Sequence, residues 1–303
     1  MMDLSIVIPT YNEASTLPRL LKAIKRQSGV TYEIIVADAF SEDNTREIAR
    51  DAGATVVDGG MPAVGRNAGG AVARAEYLLF LDADVVMKSG FLKSVLSEFK
   101  ERELVAATCR VKPMSRLSAD RALHDFMNLY LRLVQYSDPQ APGYCIMARK
   151  DVFDEIGGFD ESLKLAEDHD FVKRASNHGA FRILLNGWIH VDVRRFDKEG
   201  RLGYALKTVK VSVYRALQGE IDQDSDVVEY EFGNFEEDET SGSRKAIRRL
   251  EKAILKLDES TTNIDEKVVD RLSGDMSLKK RLSRLVDQLS EGWNALINRS
   301  PPD

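Results

Sequence analysis

The amino-acid sequence predicts an α/β fold, with a doubly wound, mostly parallel, Rossmann-like sheet and an added helical region in the C-terminal part of the chain. First, short apolar runs alternate with amphipathic segments over the first half of the sequence, as strands and helices do in βαβ units. Second, these runs are apolar throughout, which is typical of parallel strands that helices cover on both faces. Third, the composition changes near Glu220, and apolar residues then recur at helical spacing.

The individual elements follow in chain order from the same patterns. Strands are predicted at residues 4–8, 33–37, 54–57 and 77–81, and each is followed by a predicted helix, at residues 14–26, 43–52, 65–75 and 91–100. Further strands are predicted at residues 105–110, 144–148, 181–185 and 188–193, and further helices at residues 121–135, 150–156 and 167–178. The carboxyl ends of the parallel strands should meet in one cleft, where sheets of this kind bind ligands.

Three regions are predicted along the chain. Residues 1–219 form the α/β domain, residues 220–243 an acidic linker or edge segment, and residues 244–303 a helical hairpin or bundle. Asp222, Asp224 and Asp226 alternate as in a calcium loop. However, Val227 and Gly233 stand where that loop needs glycine and glutamate, so a solvated acidic segment is favoured. For the C-terminal helices, packing or self-association and peripheral docking on an anionic membrane both stay open.

Composition excludes several classes of function. The net charge of −6 provides no basic footprint, so we expect no binding to nucleic acid. Two cysteines, Cys109 and Cys145, form no disulfide framework and suit a reducing compartment. We also expect no signal peptide and no spanning helix, because no segment reaches about 20 apolar residues. These features predict a cytoplasmic protein, with peripheral contact at the inner face of the membrane as an open alternative.

Two carboxylates follow the fourth predicted strand directly. Asp82 and Asp84 flank Ala83 directly after the apolar run at residues 77–81. Carboxylate oxygens are ligands that Mg²⁺ and Mn²⁺ prefer, and such a cation stabilises a diphosphate leaving group. Capping of the following helix is the alternative interpretation of this triplet.

Further motifs follow the first and second strands and begin the third helix. The first strand leads into Pro9, Thr10, Tyr11 and Glu13. There the ring of Tyr11 can pack against a nucleobase. Asp38 ends the second strand, where its carboxylate can accept a hydrogen bond from a pyrimidine N–H. Arg66 lies in a glycine-rich segment and offers a planar fork to a base or a phosphate. An ordinary strand-to-helix turn is the alternative for each motif.

In this order and spacing the motifs resemble those of family 2 glycosyltransferases, which have the GT-A fold. The matching segments are residues 6–13, 38–45, 65–69, 82–84, 157–161 and 167–168, so the resemblance covers about residues 4–201. It implies a nucleotide-diphosphate sugar donor, a divalent metal (Mn²⁺ or Mg²⁺) and inversion at the anomeric carbon. The Gln-x-x-Arg-Trp motif of processive synthases is absent from the sequence, so we expect the addition of one sugar per encounter.

The resemblance also implies a role for particular residues. The residues that would line the nucleotide-sugar site are Pro9, Thr10, Tyr11, Glu13, Asp38, Arg66, Asp82, Ala83 and Asp84. Asp84 would be the main metal ligand, and Asp82 would lie nearer the ribose or the sugar. The chain departs from the family pattern after Asp38, where Ala39 and Phe40 replace an aspartate and a glycine. This departure leaves the identity of the base open.

Glu167 and Asp168 are the predicted catalytic pair. An inverting transfer to a hydroxyl needs a base that removes the acceptor proton. By the resemblance, Asp168 is that base, and Glu167 supports it or contacts the acceptor. The pair favours a hydroxyl acceptor, on a glycan, a lipid-linked molecule or a small molecule. Transfer to a polyprenyl phosphate and a sugar-nucleotide-binding scaffold without turnover stay as alternative functions, and the structural alternative is two acids at a helix N-terminus.

His190 is the third candidate metal ligand. It lies on the last predicted strand, and in several proteins of this fold a late histidine completes the metal site. A core histidine is the alternative.

Overall fold

The structure, a computed structural model, describes residues 2–163 and 166–193. The strands of this part of the chain are β1 (Leu4–Thr10), β2 (Tyr32–Asp38), β3 (Thr55–Asp58), β4 (Tyr77–Leu81), β5 (Val86–Met87), β6 (Leu104–Pro113), β7 (Cys145–Arg149) and β8 (Ala180–Val191). The helices are α1 (Leu17–Lys25), α2 (Thr45–Asp51), α3 (Pro62–Val72), α4 (Phe91–Glu101), α5 (Ser118–Val134), α6 (Lys150–Glu155) and α7 (Glu167–Ala175). The predictions for residues 220–243 and 244–303 lie outside the described residues.

The chain divides into two compact units. The first comprises Met1–Lys112 and Val134–Val191, and the second comprises Pro113–Leu133 and Asp192–Asp303. The described part of the second unit is essentially helix α5. The other helices and the sheet, apart from Pro113 at the end of β6, belong to the first unit.

The predicted α/β fold is confirmed. The sheet has the strand order β3-β2-β1-β4-β7-β6-β8-β5. β3, β2, β1 and β4 are parallel, as predicted, whereas β7 runs antiparallel to both β4 and β6. The sheet is therefore mixed. Only four residues separate β4 from β5, although these strands are far apart in the strand order, so the sheet must curl to bring its edge back towards β4.

Two apolar clusters cover the two faces of the sheet. Along β4, Leu79 and Leu81 belong to the first cluster, whereas Leu78 and Phe80 belong to the second. Because side chains alternate along a strand, Asp82 continues on the face of the second cluster. Ala83 packs into the first cluster instead and is 4 % exposed.

The glycine-rich segment of α3 allows this helix to lie close to the sheet. A Cβ atom on Gly69 would lie 2.3 Å from Cγ1 of Val7, and one on Gly70 would lie 2.4 Å from Cζ of Phe153. Neither separation is sterically allowed. The glycines of the predicted nucleotide motif therefore serve, at these two positions, to pack α3 against β1 and α6.

β8 contains one break in its alternation, and a buried carboxylate holds it. Glu98 of α4 accepts hydrogen bonds from the adjacent N–H groups of Leu185 and Asn186, both at 2.8 Å. Phe181 lies in the second cluster, whereas Ile189 lies in the first, although both positions are odd-numbered. An extra residue at a bulge produces such a change of face. The two predicted strands at residues 181–185 and 188–193 are thus one strand with a bulge.

No helix among the described residues combines the length and the apolar character that crossing a bilayer requires.

Candidate active site

The first part of the candidate site lies at the carboxyl ends of β1 and β2. The fully buried carboxylate of Asp38 accepts hydrogen bonds from the Thr10 hydroxyl at 2.9 Å and from the Ser41 N–H and hydroxyl at 2.9 and 2.6 Å. Nη1 of Arg46 lies 3.4 Å from the same carboxylate. Both oxygens are engaged within the chain, so Asp38 shapes the loop that follows it. Its contact with a nucleobase stays a prediction.

The loops after β1 and β2, residues 11–16 and 39–45, are joined to each other; we call them the paired loops. The N–H of Asn12 donates to the Ser41 hydroxyl at 2.8 Å, and the N–H of Glu42 donates to Oδ1 of Asn12 at 2.9 Å. The N–H of Glu13 donates to the Thr45 hydroxyl at 2.8 Å. These hydrogen bonds between the polar residues of two sequence motifs join the paired loops into one shelf-like surface.

The paired loops present two aromatic rings to solvent. Tyr11 is 60 % exposed and Phe40 is 66 % exposed. Phe40 has φ +57° and Asn12 has φ +53°, a left-handed conformation that costs an L-residue roughly 1–2 kcal/mol. The hydrogen bonds of the paired loops hold the backbone in this conformation. Two large rings on such a shelf form a surface against which a flat ligand can stack.

The second part of the site is organised by Arg66. This side chain is 3 % exposed, and its guanidinium donates to Oε1 of Glu167 at 2.7 Å and to Oδ1 of Asp82 at 3.2 Å. It also lies 3.4 Å from the carbonyl oxygen of Gly143, and its Cζ is 5.4 Å from the ring centroid of Phe159. Arg66 therefore joins the predicted metal-binding triplet to the predicted catalytic pair.

Burial and charge act in opposite directions in this cluster. Burial lowers the pKa of Arg66, but the carboxylates of Asp82, Glu167 and Asp168 more than offset it, so the net pKa is raised and the guanidinium stays charged. Burial and the neighbouring Asp168 raise the pKa of Glu167, and Arg66 opposes this rise. In this cluster one cation interacts with three carboxyl groups, so the pKa of each group depends on the charge of the others.

Two residues that the sequence analysis did not select position this cluster. The side-chain amide of Asn67 bonds both the N–H and the carbonyl of Phe159, each at 2.8 Å. Arg174 donates to the carbonyl of Gly158 at 2.7 Å. Together they fix the Gly157-Gly158-Phe159 turn beneath Arg66. In the sequence, the glycine pair of this motif indicates a constrained turn but does not indicate which side chains hold it.

The two residues of the predicted catalytic pair lie in the first turn of α7, and their catalytic role stays a prediction. The side chains of Glu167 and Asp168 are 14 % and 16 % exposed. Oδ1 of Asp168 accepts the N–H of His169 at 2.7 Å. Oδ2 would lie 3.3 Å from a Cβ atom on Gly143, so a side chain at that position would crowd the carboxylate. The glycine at position 143 thus leaves room for both side chains, since the same Cβ atom would lie 2.5 Å from Nη2 of Arg66.

The residue before the pair has a strained backbone, and this gives a prediction. Ala166 has φ +64° and precedes α7 directly. Because alanine in this conformation costs roughly 1–2 kcal/mol and glycine does not, Ala166→Gly should increase the free energy of unfolding by up to about 1 kcal/mol. Chemical denaturation measures this change.

Glu103 provides a matched control for that variant. It has φ +49° just after α4, away from the site. Glu103→Gly should give a similar stabilisation. If Ala166→Gly destabilises the protein while Glu103→Gly stabilises it, the left-handed conformation at Ala166 is not the source of strain.

The predicted metal ligands lie on two segments that the sheet curl brings together. β5 pairs with β8. Val86, which is two residues after Asp84 in the sequence, lies opposite His190. Burial and the ammonium groups of Lys88 and Lys112 lower the pKa of His190, which favours the neutral imidazole that binds metals. Within residues 2–163 and 166–193, no group of three His, Cys, Asp or Glu side chains is close enough to hold a metal ion. Two carboxylates and an imidazole fit Mn²⁺ chemically, and the three-ligand set stays a prediction.

Two further predicted site residues lie at the end of β1 and in the loop that follows it. Cβ of Pro9 would lie 3.2 Å from a Cβ atom on Gly65, so the end of β1 lies against the start of α3. Glu13 accepts a hydrogen bond from the Thr16 hydroxyl, which makes it part of the paired loops. The nucleotide candidates and the catalytic candidates therefore belong to one continuous region at the carboxyl ends of the parallel strands.

Comparison with known proteins agrees with this arrangement. The model of "Glycosyl transferase family 2" matches residues 5–157. The pre-mycofactocin glycosyltransferase of Mycobacterium tuberculosis is 28 % identical over 195 residues, which are 59 % of this chain and 40 % of that protein. The O-antigen chain rhamnosyltransferase RfbN of Salmonella typhimurium is 29 % identical over 191 residues, which are 55 % of this chain and 59 % of that protein. The chain spans about half the length of these curated relatives.

Solved structures show the same fold. S. aureus TarS 1-349 in complex with UDP-GlcNAc has a TM-score of 0.52 at 18 % identity, covering 86 % of this chain and 74 % of that chain. The mannosyltransferase PcManGT from Pyrobaculum calidifontis in complex with GDP-Man and Mn²⁺ has a TM-score of 0.58 at 16 % identity, covering 97 % of this chain and 86 % of that chain. These likenesses confirm the GT-A fold. With its family model matched over half its length, and with the motifs of that family assembled at one edge of the sheet, the chain belongs to glycosyl transferase family 2.

Proposed function

We propose that this protein transfers a single sugar from a nucleotide-diphosphate donor to an acceptor hydroxyl, with inversion at the anomeric carbon and with a divalent cation. The observation that carries the proposal is the junction made by Arg66, which contacts Asp82 at 3.2 Å and Glu167 at 2.7 Å. One guanidinium therefore connects a residue that we assign to the donor side, Asp82, with a residue that we assign to the acceptor side, Glu167. A binding protein without turnover has no need of a carboxylate pair held in that place.

The donor would lie along the carboxyl ends of β2, β1 and β4. The rings of Tyr11 and Phe40 would contact the nucleobase, because they are the large exposed apolar side chains on the paired loops. The diphosphate would then approach Asp82 and Asp84 at the end of β4. Support comes from two structural neighbours that contain UDP-GlcNAc and GDP-Man, respectively.

Asp84 and Asp82 would hold the divalent cation, with His190 as the third candidate ligand. When bound there, the cation would neutralise charge on the diphosphate and so make it a better leaving group. The salt bridge from Arg66 holds the Asp82 carboxylate in place. The neighbour that contains Mn²⁺ supports a metal of this kind.

Asp168 would act as the base. As the acceptor oxygen forms its bond to the anomeric carbon, the bond from that carbon to the diphosphate oxygen breaks, and the acceptor proton passes to the Asp168 carboxylate. Glu167 and Arg66 would hold Asp168 on the acceptor side, since Arg66 bonds Glu167 directly. Inversion follows because the incoming and leaving oxygens lie on opposite sides of the carbon.

The donor assignment can be tested with Asp84→Asn. Binding of a donor to the folded state raises the thermal midpoint, so UDP-, GDP- and dTDP-sugars should be screened with and without Mn²⁺. We expect one nucleotide class to give a manganese-dependent increase and Asp84→Asn to lose that dependence, because the amide is a poorer ligand than the carboxylate.

The matched control is Asp51→Asn, which changes an exposed carboxylate at the end of α2. It should keep the manganese-dependent increase. A full manganese effect in Asp84→Asn would contradict the metal assignment, and the lack of any nucleotide effect in the wild-type protein would contradict the donor assignment.

A further inference from the structure

A group of cations surrounds Trp188 on the face of the sheet that carries the second cluster. Cζ of Arg110 lies 3.9 Å and Nζ of Lys112 lies 4.2 Å from the ring centroid of Trp188. Arg110 and Lys112 are two residues apart on β6, so they share a face. The bulge at Leu185 turns Trp188 to the same face, because residues beyond it alternate in the opposite sense. We call Lys88, Arg110, Lys112 and Trp188 the cationic face.

Lys88 joins this group from β5. Val86 lies opposite His190, and Lys88 follows two residues after Val86. Lys88 and Lys112 both act electrostatically on His190, which places the two ammonium groups near the same imidazole. In the part of the chain that the structure describes, no salt bridge involves Lys88 or Lys112. For a protein with a net charge of −6, such a concentration of positive charge is local and contrary to the overall charge.

The cationic face adjoins the candidate active site. Lys88 is four residues from Asp84 in the sequence, and four residues span at most about 14 Å. The donor candidates lie on β1, β2 and β4, whereas the cationic face lies on β6, β8 and β5, in the other half of the strand order. The acceptor would therefore approach the sugar from the side of β6, β8 and β5.

We propose that the cationic face binds a phosphate group of the acceptor, so that the acceptor carries a phosphate or phosphodiester in addition to its reacting hydroxyl. This inference rests on the proposed function, because only a protein that transfers a sugar has an acceptor. A guanidinium and two ammonium groups suit a phosphate, since all three are cations and Lys supplies a compact charge. Nη2 of Arg110 also donates to the carbonyl oxygen of Leu185, so Lys88 and Lys112 are the main candidates for direct contact with the phosphate. The Trp188 ring holds the two β6 cations in place by cation–π contact and leaves their charge intact.

Phosphate binding can be measured without donor or transfer. The chain has two tryptophans, so Trp293→Phe in the full chain leaves Trp188 as the single fluorescent indole. Titration with inorganic phosphate and with glycerol 3-phosphate should change its emission saturably, whereas glycerol should not. In this background Lys112→Gln should weaken phosphate affinity by about tenfold, because a charge-assisted contact is lost. Lys22→Gln, on the exposed face of α1, is the control and should have no effect.

Three results would overturn the proposal. The first is the absence of a saturable response to phosphate, and the second is an equal loss of phosphate affinity in Lys112→Gln and Lys22→Gln. The third is a rise in the donor dissociation constant of Lys112→Gln with unchanged phosphate affinity, which would indicate that the cationic face binds the donor diphosphate. Failure of the proposed function itself would appear separately, as the lack of stabilisation of the wild-type protein by any nucleotide sugar.

Transfer assays then test the acceptor. An alkyl glycoside and the same glycoside with a 6-phosphate should differ in KM, with the phosphorylated acceptor about tenfold lower. Lys112→Gln should abolish that difference while leaving kcat nearly unchanged. Equal KM values for the two acceptors in the wild-type protein would contradict the inference.

Discussion

Asp168→Asn is expected to lower the rate of sugar transfer by about a hundred- to ten-thousandfold, the range that general base catalysis contributes. An asparagine amide has nearly the same shape as the carboxylate and can still accept the N–H of His169 at the start of α7. It cannot take up the acceptor proton. The measurement is kcat under saturating donor and acceptor, together with the donor dissociation constant.

Donor affinity separates this role from a structural one. If Asp168 is the base, the donor dissociation constant of Asp168→Asn should change by less than about threefold, since the proposed donor contacts lie on other elements of the fold. Asp160→Asn is the control, because Asp160 is an exposed carboxylate that bonds Ser162 nearby. It should keep normal turnover. A collapse of donor affinity in Asp168→Asn, with kcat preserved, would remove the base assignment.

Arg66→Met is expected to destabilise the protein by about 3–5 kcal/mol at neutral pH, the cost of removing one partner from a buried ion pair. Methionine keeps the apolar stem of the side chain but replaces neither the guanidinium nor its bonds to Asp82 and Glu167, so the loss of charge dominates. Glu167 and Asp168 would then lie next to each other in a poorly solvated place with no cation. Chemical denaturation gives the free energy of unfolding.

The pH dependence of this loss follows from Glu167. Its pKa in the folded protein is already raised by burial and by Asp168, and without Arg66 it would rise further. A carboxyl with a raised folded pKa binds its proton more tightly when folded, so its cost to stability builds up as pH rises from the unfolded pKa to the folded pKa and disappears below the unfolded value. Wild-type protein and Arg66→Met should therefore converge in stability as pH falls towards about 4.

Arg74→Met is the control for burial. Arg74 also bonds a buried carboxylate, Glu33, at 2.7 Å, but its own side chain is 70 % exposed. Glu33 keeps the hydroxyl of Ser5 and the N–H of residue 74 as partners. The loss should accordingly be smaller than for Arg66→Met. Equal losses at neutral pH would mean that the burial of the Arg66 cluster is not what makes it important.

Much of this molecule follows from local sequence patterns. Strands such as Tyr77–Leu81 are apolar throughout, and helices such as Leu17–Lys25 repeat apolar residues on one face, so both are predicted by periodicity alone. The positions of Asp38 and Asp82 at strand ends follow from the same alternation. β5 was not predicted, since the two residues Val86 and Met87 are too few to show a period.

Long-range contacts account for what the sequence left open. Nothing local to Glu98 indicates that it bonds residues 185 and 186, and the resulting bulge merges two predicted strands. Arg66 was predicted to meet a nucleotide, but its partner Glu167 is 101 residues away in the chain. Asp38 was predicted to face a base, and the hydroxyls that surround it come from Thr10 and Ser41. Residue type identified the important positions, whereas only the fold shows their partners.

The bulge in β8 also limits how this protein can be redesigned. Because a one-residue change of register turns every later side chain to the opposite face, the orientation of Trp188 and His190 depends on the carboxylate of Glu98, which belongs to a different element. A segment that contains β8 therefore cannot be exchanged between homologous enzymes as an independent cassette. Strand and helix must be transplanted together, and chimaeras that separate them should lose acceptor recognition before they lose the fold.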